Sequence, residues 1–181
     1  VLSGGTFDLA GLAQLVPQGA YVTTNAANVI LDGPNSLISG MNDFENFANY
    51  DALGQLKTNT GSFTIKNGRD FTTTGIFLNQ GTLTVGAGST FAVGSSPLEI
   101  YTQTAGSTLV NGTLEAEKLD IEGGSVGGSG KIHAGVLLRG SLNPGSSPGT
   151  LTIEGDVEED STGEIHMQFL SLDANGYDRF I

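Results

Sequence analysis

Apolar residues recur two apart along most of this chain, divided by glycine, serine, threonine, proline and asparagine. Phe63 and Ile65, Leu83 and Val85, Phe91 and Val93, Leu98 and Ile100 follow this pattern, as do Leu119 and Ile121, Val136 and Leu138, and Leu151 and Ile153. Leu109, Leu114, Val126, Ile132, Leu142 and Val157 supply single beats between them. An i, i+2 pair places both side chains on one face of a strand, and beats this short are strands rather than helices. A beat of roughly 5–9 residues, grouped in threes, gives a coil of about 20–24 residues. The pattern therefore predicts an all-β parallel β-solenoid, with about eight coils stacked ~4.8 Å apart into a rod near 40 Å long. An antiparallel sandwich has turns at similar spacing. It needs hairpin turns, however, and only a few signals such as Asn67-Gly68 and Asn111-Gly112 are present, whereas Gly-Ser-Gly and Thr-Gly corners dominate.

In residues 1–20, Phe7, Leu9 and Leu12 fit strand, turn, strand, with Gly4-Gly5 and Gly11 as breakers. Gly11 and Pro17 weaken the alternative of a short amphipathic helix. The rhythm breaks at 41–56, MNDFENFANYDALGQL, where aromatic and apolar residues come at near-helical spacing. An irregular insertion with one or two helical turns is expected there, either a packing flap over the core or a contact point. Phe44, Phe47 and Tyr50 are its candidate partner-contact residues.

With 181 residues the chain suffices for one domain spanning 1–181. It starts at Val1 and stops at Ile181 within strand-like sequence, so it reads as a piece of a longer protein. Nineteen Asp plus Glu against seven Lys plus Arg give a net charge of −12, a field that repels phosphate backbones and argues against nucleic-acid binding. No apolar run approaches the ~20 residues of a membrane span, and no signal peptide is visible. The absence of cysteine removes disulfides, Cys-ligated zinc and a thiol nucleophile together.

Catalytic motifs are weak. Gly145-Ser146-Ser147-Pro148-Gly149 fits G-x-S-x-G, with Asp156 and His166 following in hydrolase order. A nucleophile elbow needs a helix after the turn, and here Thr150 to Ile153 reads as another strand behind Pro148. Glu154, Asp156, Glu158, Glu159 and Asp160 form an acidic run with no base or aromatic platform nearby in sequence. That run reads as a solvated edge rather than a glycosidase pair. Calcium is conceivable there, but the spacing fits neither an EF-hand nor a calcium-binding nonapeptide repeat. His133 and His166 are isolated, the paired glycines at 123–130 precede no helix, and Asn111-Gly112-Thr113 fits a turn better than a glycan acceptor. No catalytic, cofactor or metal residue is assigned.

The segments GSFTIKNGRDFTTTG, GTLTVGAGSTFAVG and GSLNPGSSPGTLTIEGD resemble bacterial surface proteins with autotransporter-type β-helix repeats. The closing GYDRFI resembles the YDxL segment that follows their PGxSPGTL turns. The resemblance covers about residues 21–181. It implies a right-handed, single-stranded parallel β-helix that is secreted or displayed on the cell surface. The expected role is a non-enzymatic stalk, adhesin or matrix segment with no membrane-embedded part of its own. Expected partners are other copies joined end to end, neighbouring coils, surface glycans or host matrix. A polysaccharide-active β-helix enzyme and a carbohydrate-binding module are the alternatives.

Overall fold

A computed structural model describes residues 1–16, 20–41, 49–94, 98–145, 149–171 and 177–181. The described residues contain no helix. They form a β-solenoid whose coils pair in parallel along three faces.

The first face stacks the leading arm of Thr24–Asp32, then Thr58–Asn59, Phe77–Asn79, Ile100–Gln103, the second arms of Thr113–Ile121 and Lys131–Leu138, and Val157–Glu159. The second face begins with Leu2–Leu9 on Thr24–Asp32 and continues through Ser62–Lys66, Thr82–Val85, Ser107–Val110, Ser125–Gly128, Ser141–Pro144 and Glu164–Ile165. The third face runs from Phe71–Thr74 through Thr90–Gly94, the first arms of Thr113–Ile121 and Lys131–Leu138, and Thr150–Ile153 to Arg179–Phe180. Leu12–Val16 and Leu37–Met41 make a small separate sheet, on which Asn49–Asp51 lies antiparallel.

One inward column passes through every coil: Phe7, Val29, Phe63, Leu83, Thr108, Val126, Leu142 and Ile165. Its steps are 22, 34, 20, 25, 18, 16 and 23 residues. Coils are thus less uniform than the 20–24 expected. The 34-residue step holds the insertion, whose described part is the antiparallel strand and a turn that buries Ala52, Leu53 and Leu56. The one or two helical turns expected within 41–56 do not occur in 49–56, which form strand and turn, and residues 42–48 lie outside the described residues.

Glycine columns set the corners. A Cβ on Gly81 would sit 2.0 Å from the carbonyl oxygen of Gly61 one coil below, and one on Gly106 would sit 1.9 Å from that of Gly81. Only glycine lets successive backbones turn this close to one another.

The core differs from a plain apolar stack at one column. Asn25, Asn59, Asn79 and Gln103 are fully buried at successive positions of the first face. Each amide donates to the next: Asn25 to Asn59 at 2.9 Å, Asn59 to Asn79 at 2.8 Å, and Asn79 to Gln103 at 3.3 Å. Gln103 ends the ladder on the carbonyls of Ser125 (2.9 Å) and Gly123 (3.3 Å). A buried amide left unpaired costs about 1–3 kcal/mol, so the ladder fixes vertical register as well as filling space.

The ladder also corrects the beat at 109. Thr108 points inward (2% exposed) and bonds Gln103 at 2.5 Å and Tyr101 at 2.6 Å, while Leu109 faces solvent. Leu98 is likewise exposed and Ile100 only half-buried, because Tyr101 takes the core position of that strand. At the start of the chain two strands replace any helix, and Leu12 is exposed.

Candidate functional site

Stacking brings acids and bases together that are far apart in sequence. Ile121 pairs with Leu138, and Leu138 with Glu159, so Glu122, Arg139 and Asp160 follow at one corner of three successive coils. The Arg139 guanidinium donates to Asp120 at 2.9 Å and meets Glu122 and Asp160, each at 3.5 Å. Lys118 reaches the other oxygen of Asp120 at 3.4 Å. On the third face Glu154 contacts Lys131 at 3.5 Å and His133 at 2.8 Å. The backbone and hydroxyl of Ser161, with Arg139 beyond them, hold the Asp160 carboxyl below its ordinary pKa.

The acidic run therefore has bases that its own sequence neighbourhood lacks. Lys118, Gly135, Val136, Leu137, Asp156 and Glu158 line a shallow groove beside it. Glycoside cleavage needs two carboxylates kept in different protonation states across a bond. Here Asp120, Glu122, Glu154 and Asp160 each face a cation of their own or an adjacent coil, an arrangement of ion pairs rather than of two opposed carboxylates. Such partly exposed pairs contribute about 0–1 kcal/mol apiece, so their effect is on register and solubility more than on stability.

The G-x-S-x-G corner is built as a clamp. Thr150–Ile153 is a strand, so no helix follows the turn, and residues 146–148 lie outside the described residues. Asp178, only 4% exposed, accepts from the backbone N–H of Gly149 at 2.9 Å and that of Gln168 at 2.7 Å. Gly145, at φ +90°, passes so close that a Cβ would lie 2.3 Å from an Asp178 oxygen. The Tyr-Asp-Arg segment thus ties the last coil to the Pro-Gly corner, which explains why the two motifs occur together in this chain. Asp178→Ala removes a buried carboxylate that accepts from two part-buried backbone amides and is expected to cost about 2 kcal/mol in urea unfolding. Asp178→Asn retains one acceptor and should lose about half of that.

The hydrolase-order residues are not brought together. Asp156 lines the groove on the first face, while His166 lies beside Asn143, Gly145 and Asp178 and meets Glu164 at 2.9 Å. Among the described residues no group of three or more His, Asp or Glu is placed to hold a metal ion.

Of the candidate contact residues, Phe44 and Phe47 lie outside the described residues. Tyr50 is half-buried, donates to the Ala20 carbonyl at 2.6 Å, and packs its ring 4.9 Å from that of Tyr21. Its hydroxyl occupies the space over Gly40 where a Cβ would be. The insertion is also pinned by Asp51, which accepts from Arg69 at 2.7 Å. Burial raises the Asp51 carboxyl above its ordinary value, with the Leu53 amide and Arg69 opposing. What is visible of 41–56 thus packs as a flap.

No protein-family model, no curated protein and no solved structure matches this chain.

Proposed function

We propose that this chain is a non-enzymatic structural or adhesive segment of a secreted or surface-displayed bacterial protein. The observation that carries the reading is the unbroken stack itself. Three faces of parallel pairing, an internal amide ladder and ion pairs between successive coils all serve vertical continuity. A rod of this kind holds whatever it bears at a fixed distance from its base, and its side faces offer glycans or matrix components a long contact surface.

The resemblance of the Pro-Gly corner and the Tyr-Asp-Arg segment to surface-protein repeats supports the extracellular part of the reading. Antibody against the chain should label intact, unpermeabilised cells of the source organism. The purified protein should release no reducing ends or unsaturated uronates from a polysaccharide panel. Labelling only after lysis overturns the location, and cleavage of any glycan at enzymatic rates overturns the structural role in favour of the polysaccharide-active alternative.

A further inference from the structure

We propose that Asn67-Gly68 is a self-modifying site, where the Asn67 side chain closes on the Gly68 amide to a succinimide, and that Asp32 assists by receiving the departing ammonia.

The chain has three Asn-Gly pairs, at 67–68, 111–112 and 175–176. Glycine after asparagine leaves the next amide open to the side-chain carbonyl, because no Cβ stands in the way. Residues 175–176 lie outside the described residues. The other two pairs sit in different surroundings. Asn67, at φ +57°, and Gly68, at φ +82°, are both exposed at a turn. A Cβ on Gly68 would meet nothing within 4 Å. The Gly68 amide donates to the Ser89 hydroxyl at 3.2 Å, a side-chain bond rather than a rung between strands.

Asn111 and Gly112 are half-buried, and both of their amides donate to the Val85 carbonyl of the coil before, at 2.8 and 3.0 Å. A Cβ on Gly112 would lie 2.2 Å from the Ser89 carbonyl oxygen and 2.3 Å from that of Gly86. The Asn111 side chain is held by the next coil, where the Ser129 amide and hydroxyl donate to it at 3.2 and 3.1 Å. Ring closure needs rotation of the peptide between the two residues and loss of the glycine amide proton. At 67–68 that rotation meets solvent. At 111–112 it breaks backbone bonds between coils and drives the chain against carbonyl oxygens.

The step balances without any further reagent than water. Solvent base takes the Gly68 amide proton, and the nitrogen attacks Cγ of Asn67. The Cγ–Nδ2 bond then breaks, and the side-chain nitrogen leaves as ammonia with a proton from water. Water opens the ring at one or other carbonyl, which leaves aspartate or isoaspartate at position 67. Asn67 Nδ2 already donates to Asp32 Oδ1 at 2.7 Å, and the Lys66 ammonium lies 3.1 Å from Asp32 Oδ2. Those two partners hold the Asp32 carboxyl below its ordinary pKa, so it is ionised. A carboxylate in that position stabilises the positive charge that develops on the leaving nitrogen. Conversion then sets a second carboxylate beside Asp32 in place of the amide donor.

The test incubates the folded chain in mildly alkaline buffer made with heavy-oxygen water and digests it in ordinary water. Only conversions that took place in the folded chain carry the label. Mass spectrometry should show Asn67 converting roughly tenfold faster than Asn111, as breaking two backbone hydrogen bonds implies. In urea the two rates should converge. Asp32→Ser keeps a short polar side chain without the charge and creates no new Asn-Gly pair. It should slow Asn67 roughly fivefold, the size of one exposed charge contact, and leave Asn111 unchanged. The Asn111 rate also checks folding, because it rises in any variant that opens. Equal rates at Asn67 and Asn111 in the folded chain overturn the site. An Asp32→Ser chain that converts Asn67 at the wild-type rate overturns the part given to Asp32.

Discussion

Gly106→Ala is expected to destabilise the chain by about 4 kcal/mol in urea or thermal unfolding, which is exceptional for adding one methyl group. Two separable effects combine there. Gly106 has φ +70°, a conformation that costs an L-residue roughly 1–2 kcal/mol. Its Cβ would also lie 1.9 Å from the Gly81 carbonyl oxygen, where backbone rather than a flexible side chain must yield. Overpacking of that kind costs about 1–3 kcal/mol. Two controls divide the terms. Gly88→Ala has φ +74° with nothing within 4 Å, so it reports the conformational cost alone. Gly81→Ala meets the Gly61 carbonyl at 2.0 Å with no positive φ, so it reports the crowding alone. If Gly88→Ala costs as much as Gly106→Ala, coil-to-coil approach is not what selects glycine at these corners.

That column shows how much could be read from the sequence. The i, i+2 apolar pairs were enough for the strands, and Gly61, Gly81, Gly106, Gly124 and Gly140 each precede Ser or Thr, a corner signal that only the stacked glycine column makes plain. The acids and bases were less legible as partners: Asp160 stands 21 residues after Arg139, within the expected coil, but Glu122 stands 17 and Asp120 19 residues before it. A fixed coil of 20–24 residues would place those two out of reach of Arg139. The amide ladder left a signal that periodicity in apolar residues cannot register. Asn59 and Asn79 both stand two residues before a corner glycine, twenty residues apart. Leu109 was misplaced for the same reason, since the ladder needs Thr108 inside and the hydrophobic rule alone prefers the leucine. Asp178 carried no local sign of its role beyond its place in the closing motif, because both of its partners are backbone amides.

Phe91→Ala should cost about 3–5 kcal/mol, and the loss should spread unevenly along the rod. Phe91 is fully buried among four other rings, with centroids 5.0 Å away for Phe77, 5.7 Å for Phe71, 6.2 Å for Tyr101 and 6.4 Å for Phe63. These rings come from three successive coils, so the ring set joins levels that backbone pairing already links. Removing the central ring leaves a cavity that the surrounding aromatic side chains fill poorly, whereas Phe91→Leu should cost less than about 1.5 kcal/mol. In a stack where each coil touches only its neighbours, stability is a sum of coil and interface terms. Hydrogen exchange should therefore accelerate most for amides of Ser62–Lys66, Thr82–Val85 and Ser107–Val110, and least for Ser141–Pro144. Uniform acceleration along the whole chain would mean that the solenoid unfolds as one cooperative unit, and the rod would then owe its stiffness to global rather than neighbour-to-neighbour coupling.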